Sequence, residues 1–353
     1  MNLRIKYIYT KLKEKNLDAL LVFSPANISY LTDFTSRDSH LLISRQKNIY
    51  ITDSRYIQEA RACLKNIATV KQADGPIMRI IPRLCQDLGL KRIGFEERRS
   101  PLAEDREDKI KLNKKYEFIP THGLIEGLRQ VKDKEEIKKI KTAIQITVKA
   151  FEFIRNFISA GKREIEIAAE IERFVRYRGA QGCAFEIIVA AGANSSLPHH
   201  RTSQRKIKNN EHVLVDIGVE YAGYKSDLTR IFFLGKITPT VRKVYDIVRR
   251  AQDKAIEKIK PAVPISGIDT AARQYITRKG YGGFFGHALG HGIGLEVHEK
   301  PSISSKEKGI LNPGMVFTVE PAIYLPHRFG IRLEDIVLVT KKGCEVLSGP
   351  LDK

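Results

Sequence analysis

The chain has 353 residues, of which 42% are hydrophobic and 29% charged, and its formal net charge at pH 7 is +20. This length predicts two domains, and the composition is typical of a soluble, globular protein. No apolar run approaches the ~20 residues that a membrane-spanning helix needs, and the basic start has no secretory signal pattern, so we expect a cytoplasmic protein without a membrane partner.

Neither the positive charge nor the cysteines indicate a nucleic-acid or zinc-binding protein. The most basic stretch, residues 132–141, interleaves acidic residues along one amphipathic helix, which favours a solvated helix face over a nucleic-acid surface. The cysteines lie far apart without a Cys-x-x-Cys pair, at Cys63, Cys85, Cys183 and Cys344. We therefore expect reduced, buried thiols.

Residues 1–125 alternate β-rich and helical segments, the pattern of an α/β domain. Strands are predicted at 19–23, 40–44, 48–52, 92–96 and 116–120, with helices at 56–64 and 76–88. This half contains no cluster of histidine, cysteine and acidic residues, so its residues alone assign it no chemistry.

Residues 126–353 group helices and strands into blocks, which predicts an α+β domain with an antiparallel sheet. Periodicity and end signals predict helices over 137–151, over 165–179, from Thr238-Pro239 onward and over 268–278. Segments rich in β-branched and aromatic residues predict strands at 185–191, 212–219, 226–234, 314–324 and 330–340.

Four acidic residues and one histidine interrupt apolar or glycine-rich segments of this second half: Asp216, Asp227, His291, Glu320 and Glu334. A buried carboxylate is costly unless it is paired or binds a metal, so the five together predict a divalent-metal site. Oxygen and nitrogen donors without a thiolate suit Mn²⁺, Co²⁺, Fe²⁺ or Zn²⁺. Five ligands suit two ions ~3.5–4 Å apart that share bridging carboxylates and activate a water.

Three further histidines support a hydrolytic site. His199, His287 and His298 are suited to stabilise the oxyanion of a tetrahedral intermediate or to pass a proton to a leaving amine. His200 and His327 are interpreted as bystanders.

Six motifs together resemble a known family: LPHH at 197–200, VDIG at 215–218, SDLTRIF at 226–232, HALGHGIGLEVHEKP at 287–301, VEPAIY at 319–324 and IRLED at 331–335. They resemble the pita-bread metallopeptidases, which include Xaa-Pro aminopeptidases, Xaa-Pro dipeptidases (prolidases), methionine aminopeptidases and the metal-free creatinase. The segments SPANISYLTDF and TDSRY of the first half resemble the N-terminal domain of the Xaa-Pro peptidases and creatinase.

The resemblance implies an architecture. It is α+β: a creatinase-like α/β domain at 1–125, which contributes to a homodimer and to the substrate entrance, is followed at 126–353 by a pita-bread catalytic domain with a curved antiparallel sheet and flanking helices.

The resemblance also implies residue roles. Two divalent ions, with Mn²⁺ favoured and Co²⁺, Zn²⁺ or Fe²⁺ as alternatives, would be held by Asp216, Asp227, His291, Glu320 and Glu334. Asp227 and Glu334 would bridge them, and Glu320 would also take a proton from the bridging water. His287 and His298 would contact the substrate and stabilise the tetrahedral intermediate. His199 would help to hold the substrate, and Arg332 would orient Glu334 or hydrogen-bond near the site as part of the substrate-binding set.

The main functional hypothesis is an aminopeptidase that releases the residue before a second-position proline, by attack of a metal-bridging hydroxide on the Xaa-Pro bond. The alternative is a strict Xaa-Pro dipeptidase. Some similar dipeptidases carry an arginine four residues after the last histidine of the fourth motif, where it can bind the substrate carboxylate; Ser302 occupies that position here, which favours the aminopeptidase. A metal-free pita-bread protein that binds peptides, histones or RNA is the remote alternative, since such proteins typically lose metal ligands.

Overall fold

The structure is a computed structural model, and it describes residues 2–35, 38–75, 77–96, 115–349 and 351. The chain divides into two compact units, Met1–Arg129 and Gln130–Lys353. Among the described residues, no helix combines the length and the apolar character required to cross a membrane.

The first unit is built on a six-stranded mixed sheet with the order β4-β3-β2-β1-β5-β6. The strands are β1 (Ala19–Val22), β2 (Ser39–Ser44), β3 (Ile49–Thr52), β4 (Thr69–Gln72), β5 (Arg92–Glu96) and β6 (Glu117–Thr121). Strand β2 pairs antiparallel with β1 and β3, whereas β1–β5, β5–β6 and β3–β4 are parallel pairs. The mixed sheet with its helices confirms the predicted α/β character of this part.

The helices described in the first unit are α1 (Leu3–Glu14), α2 (Pro25–Thr32), α3 (Ile57–Cys63), α4 (Ile77–Asp87) and α5 (Leu124–Arg129). Helices α3 and α4 confirm the predicted helical segments. Helix α2 was not predicted, because its eight residues are too few to show a periodic pattern. Its signals are local: Ser24 caps it and Pro25 occupies the first turn.

The second unit contains helices α6 (Lys134–Arg155), α7 (Glu164–Tyr177), α8 (Pro239–Ile256) and α9 (Ile265–Arg278) among its described residues. Asp133 and Glu136 form a capping box that begins α6, and Thr238 caps α8 ahead of Pro239. All four helices confirm the predictions.

The strands of the second unit are short, and every described pairing between them is antiparallel, as predicted. They are β7 (Gly182–Cys183), β8 (Ile188–Ala191), β9 (His212–Ile217), β10 (Val219–Tyr221), β11 (Tyr224–Lys225), β12 (Leu228–Phe233), β13 (Gly290–Gly292), β14 (Glu299–Ile303), β15 (Val316–Val319), β16 (Ala322–Leu325), β17 (Phe329–Arg332), β18 (Asp335–Val339) and β19 (Cys344–Val346). The sheet orders are β11-β10-β7, β12-β9-β8, β14-β13-β15-β18-β19 and β16-β17.

Two predicted continuous strands, 314–324 and 330–340, are wrong in detail, because each is broken in the middle. Strand β15 pairs with β18 up to Val319 opposite Asp335, and β16 pairs with β17 from Ala322 opposite Arg332. Pro321 lies in the first break and has no N–H to donate to a ladder. The two breaks therefore face each other, and each contains a glutamate, Glu320 or Glu334.

All four cysteines are free thiols. The expectation that they are buried holds for Cys85, whereas Cys63 is exposed at the end of α3.

Candidate metal centre and substrate cleft

The five predicted ligands lie far apart along the chain but line one cleft of about 820 Å³ in the second unit. Asp216 lies on β9, Asp227 directly precedes β12, and His291 lies on β13. Glu320 and Glu334 lie in the two strand breaks, not inside strands as predicted. The three acidic residues Asp216, Asp227 and Glu334 are at most 7% exposed.

The tightest grouping consists of Asp227, His291 and Glu334. One potential ligand atom from each lies within 4.8 Å of the others. Nε2 of His291 lies 3.6 Å from Oδ2 of Asp227 and 3.3 Å from Oε1 of Glu320. The fifth predicted ligand, Asp216, is close enough to add to the electrostatic field on Asp227.

His291 lies on a strand, β13, although its surroundings in the sequence are rich in glycine, and the glycines on both sides make this possible. A Cβ on Gly290 would lie 2.0 Å from the carbonyl oxygen of Thr318, and one on Gly292 would lie 2.1 Å from that of Lys300. The neighbouring strands approach so closely that only glycine fits on either side of the imidazole.

Arg332 hydrogen bonds to the groups on the acidic side of the cleft. Its Nη2 donates to Oδ2 of Asp216, and its Nε donates to Oγ1 of Thr229 at 3.0 Å. Thr229 lies directly opposite Asp216 on the neighbouring strand and donates from Oγ1 to Oε2 of Glu334 at 2.8 Å. Arg332 thus holds one proposed ligand directly and a second through a hydroxyl.

Two carboxylate oxygens of the cleft have no hydrogen-bond partner among the described residues. Oδ1 of Asp216 and Oε1 of Glu334 are buried and accept no hydrogen bond from the residues that the structure describes. Unsatisfied buried acceptors are rare, and carboxylate oxygens are good ligands of divalent cations. The donor set therefore fits a metal centre.

The electrostatics of the cluster support the same interpretation. Burial, followed by the charges of neighbouring carboxylates, raises the pKa of Asp227 and of Glu334 well above the usual values. Burial also raises the pKa of Asp216, although Arg332 opposes this. The pKa of Glu320 is lowered despite its burial, because the His291 imidazole hydrogen bonds to it. The cluster carries more negative charge than its neighbours neutralise, which a bound cation would correct.

The histidines named from the sequence, His199, His287 and His298, line the same cleft. The ring centroid of His298 is 4.2 Å from that of His291. Nδ1 of His287 lies 2.8 Å from the carbonyl oxygen of Ala288, which turns its Nε2 toward the hydroxyl of Tyr324 at 3.4 Å. Burial lowers the pKa of both His287 and His298, so both are neutral near pH 7.

Tyr324 was missed in the sequence. Its hydroxyl accepts a hydrogen bond from Nη1 of Arg332 at 2.6 Å. It lies within the VEPAIY motif, but a buried tyrosine in a strand is usually a core residue, and nothing in the sequence distinguishes the two cases.

His200 is not the bystander that the sequence suggested. Its Nε2 lies 2.9 Å from Oε2 of Glu164, which is fully buried. Glu164 also accepts hydrogen bonds from Ala191, Asn194 and Ser203. This network anchors the loop that carries His199. Glu164 begins a helix, where an acidic residue is ordinary, so the sequence contained no signal for this role.

The pattern of metallopeptidase family M24 matches residues 138–341, and that of the creatinase/prolidase N-terminal domain matches residues 4–131. The chain belongs to metallopeptidase family M24. All five proposed ligands lie within the matched M24 region.

Three M24 relatives are similar over nearly their whole length. The Xaa-Pro dipeptidase of Pyrococcus horikoshii is 34% identical over 99% of this chain and 97% of its own. The structure of a Xaa-Pro dipeptidase from Bacillus anthracis has a TM-score of 0.92 at 37% identity, covering 98% of this chain and 97% of the other. That of an X-Pro aminopeptidase from Thermotoga maritima has a TM-score of 0.90 at 38% identity, covering 97% and 96%.

Proposed function

We propose that this M24 metallopeptidase is a Xaa-Pro dipeptidase, which hydrolyses the bond before a carboxyl-terminal proline. The observation that carries the proposal is the convergence of four carboxylates and one imidazole on a cleft in which Asp216 and Glu334 keep unsatisfied oxygens. The dipeptidases from two organisms that resemble the chain over nearly its full length support the substrate class.

The residues proposed to hold two divalent ions, with Mn²⁺ favoured, are Asp216, Asp227, His291, Glu320 and Glu334. Ions bound there would polarise the scissile carbonyl and lower the pKa of a water enough to make it a nucleophile near neutral pH. Asp227 and Glu334 are the two carboxylates of the tightest grouping, and each has two oxygens with which it would hold both ions.

The remaining chemistry is proposed for the side chains of the chain itself. Glu320 is the general base, and Oγ1 of Thr318 orients it by donating to its Oε1 at 3.2 Å. His298 is neutral near pH 7 and donates its N–H to the developing oxyanion. His287, His199 and Arg332 shape the substrate-binding surface, and Arg332 also donates to the carbonyl oxygen of Pro198 in the loop beside His199.

A Xaa-Pro bond is a tertiary amide without an N–H, so a site for it must recognise the pyrrolidine ring by shape. The cleft offers an aromatic and aliphatic wall that includes Phe185, Ile188 and Val297. These side chains supply apolar contact for the ring in a cleft that also contains charged groups and imidazoles.

The second candidate is the aminopeptidase, and Ser302 favours it. Ser302 lies opposite His291 on β14, so its side chain lies on the same face of the sheet as the imidazole, and it lines the cleft. An arginine there could bind the carboxylate of a dipeptide, whereas serine leaves room for a longer peptide. The 38% identical X-Pro aminopeptidase of Thermotoga maritima agrees with this candidate.

A single assay separates these candidates. Metal-depleted protein is re-supplied with Mn²⁺, Co²⁺ or Zn²⁺ and given Xaa-Pro and Xaa-Pro-Xaa peptides. A dipeptidase prefers the two-residue substrate, whereas an aminopeptidase cleaves the three-residue substrate at least as well. Asp227→Asn should abolish turnover and weaken metal binding, and the exposed Asp246→Asn on α8 should change neither. Absence of metal-dependent cleavage of both peptides would refute the proposal.

We also propose a cytoplasmic homodimer, in which residues 1–125 contribute to dimerisation and the substrate entrance and residues 126–353 form the catalytic domain. The match of a creatinase/prolidase N-terminal domain to residues 4–131 supports this division of roles. Light scattering during size-exclusion chromatography tests it, and a monomer at micromolar concentration would contradict it.

A further inference from the structure

Two backbone carbonyls lie at the edges of the facing strand breaks, Val319 at the last paired position of β15 and Leu333 in the second break. Val319 and Leu333 immediately precede the glutamates Glu320 and Glu334. The N–H of Leu333 reaches the carbonyl oxygen of Pro321 at 3.4 Å, so direct backbone contact between the two breaks is weak. The ladders on either side bring the two breaks together, and a buried side chain adds a further link between them.

Gln252 is that side chain. It lies on α8, is fully buried, and directs its side-chain amide between the two breaks. Its Nε2 donates to the carbonyl oxygen of Val319 at 2.9 Å and to that of Leu333 at 3.2 Å. Both hydrogens of one NH₂ group are used, one on each break.

We propose that Gln252 is a positioning residue for the metal centre, because it sets the distance between the backbones that carry Glu320 and Glu334. This inference rests on the proposed metal site. A peptide held at its carbonyl side fixes the direction in which the next side chain leaves the backbone, and groups that orient metal ligands strongly affect metal affinity.

The backbone N–H of each glutamate also has a hydrogen-bond partner. The N–H of Glu320 donates to the carbonyl oxygen of Leu289 at 2.8 Å, and that of Glu334 donates to that of Thr229 at 3.3 Å. Those bonds tie each glutamate to its own neighbour, whereas Gln252 ties the two to each other. Without its amide, the buried carbonyls of Val319 and Leu333 would each lose a donor, and the breaks could move apart.

The test compares metal binding by three variants of the full chain. Gln252→Met keeps the volume and removes both donors, and Gln252→Asn keeps the NH₂ but withdraws it by one methylene. Val248→Ala, one turn earlier on α8 and also fully buried, is the control for a loss of core packing. Co²⁺ affinity is measured by calorimetry, the visible spectrum of bound Co²⁺ reports ligand geometry, and urea unfolding of the metal-free protein reports stability.

We expect Gln252→Met to weaken Co²⁺ binding by about 10–100-fold and to alter the Co²⁺ spectrum. Gln252→Asn should show the same change to a smaller degree. If Gln252→Met does not fold, the result for Gln252→Asn decides the test. Val248→Ala should bind within about threefold of the unaltered chain while unfolding at lower urea. Unchanged affinity and spectrum in either folded Gln252 variant would overturn the inference.

The Asp227→Asn variant distinguishes failure of the Gln252 inference from failure of the proposed function. If Asp227→Asn binds Co²⁺ as tightly as the unaltered chain, the metal site itself is wrong. If Asp227→Asn loses binding and the Gln252 variants keep it, the metal site stands and the positioning role of Gln252 is wrong.

Discussion

Nη2 of Arg332 donates a hydrogen bond to Oδ2 of Asp216, while Oδ1 of the same carboxylate has no hydrogen-bond partner among the described residues. One oxygen therefore fixes the orientation of the side chain, and the other remains available to a cation. Arg332 also donates to Thr229 and Tyr324, so its planar guanidinium bonds to three side chains at once.

Replacing this guanidinium should weaken the metal centre. We expect Arg332→Gln to lower metal affinity by about 10–100-fold and kcat/KM with it, because Asp216 and the Thr229–Glu334 pair lose their common support. Calorimetry with Mn²⁺ and a Xaa-Pro assay measure both effects. Arg328→Gln, an exposed arginine in the turn between β16 and β17, is the matched control and should leave both values unchanged. Normal metal binding in Arg332→Gln would contradict the role given to Arg332.

His298→Ala should retain the metal and lose turnover. Its proposed bond forms to the oxyanion in the transition state, so kcat should fall by about 10²–10³-fold while KM changes little. Steady-state kinetics and metal analysis of the purified variant check this. His327→Asn is the control, since His327 is exposed with φ +59°, a left-handed conformation that asparagine tolerates. A rise in KM alone would show that His298 only binds substrate.

Ser302→Arg should shift the substrate preference toward dipeptides. The side chain at 302 shares a face of the sheet with His291, so a guanidinium there can pair with the carboxylate of a bound Xaa-Pro dipeptide. A charge-assisted bond of this kind is worth about 1.5–3 kcal/mol, which predicts an approximately 10–100-fold gain in kcat/KM for Xaa-Pro over Xaa-Pro-amide. Ser305→Arg, outside the strand and exposed, should not change this ratio. An equal effect on both substrates would argue against recognition of the carboxylate.

His212 should make stability fall in mild acid. Burial lowers the pKa of its imidazole from 6.5 to about 4 in the folded chain. The unfolded chain therefore takes up a proton first as the pH falls below 6.5, and folding loses about 2 kcal/mol from this group between pH 7 and pH 5. Urea unfolding of His212→Asn should show a pH-dependent loss smaller by that amount. His40, whose pKa burial likewise lowers to about 4, stays in the variant and keeps its own share of the loss. Parallel pH profiles of the two proteins would contradict this account.

Much of the site could be predicted because its residues stand out from their neighbours. Asp216 lies in an apolar strand, where alternate residues face opposite sides of the sheet, so an acidic residue there must face a polar or metal-binding centre. The same argument selected Asp227, Glu320 and Glu334, and the structure brings these acidic residues together with His291 in one cleft. The helices with clear caps and periodicity were predicted for the same local reasons.

The strand breaks could not be predicted with the same ease. Segments 314–324 and 330–340 are both rich in β-branched and other apolar residues, and only the pairing of four strands shows where one ladder ends and the next begins. Pro321 was a partial signal for the first break, but no proline marks the second. Propensity depends on a residue and its neighbours along the chain, whereas a change of strand partner depends on segments elsewhere in the fold.

The sequence alone therefore identified the candidate site: the acidic residues and histidines that stand in apolar or glycine-rich segments, where burial of a charge favours a metal or an ionic partner. The tertiary structure decided which groups support them. Gln252, Glu164 and Tyr324 look like ordinary helix or strand residues, and their roles arise from partners distant in sequence. The physical reason is that a charged residue in an apolar segment is costly to bury, and this conflict is visible in the neighbouring sequence. The direction of a hydrogen bond is defined only once the chain has folded.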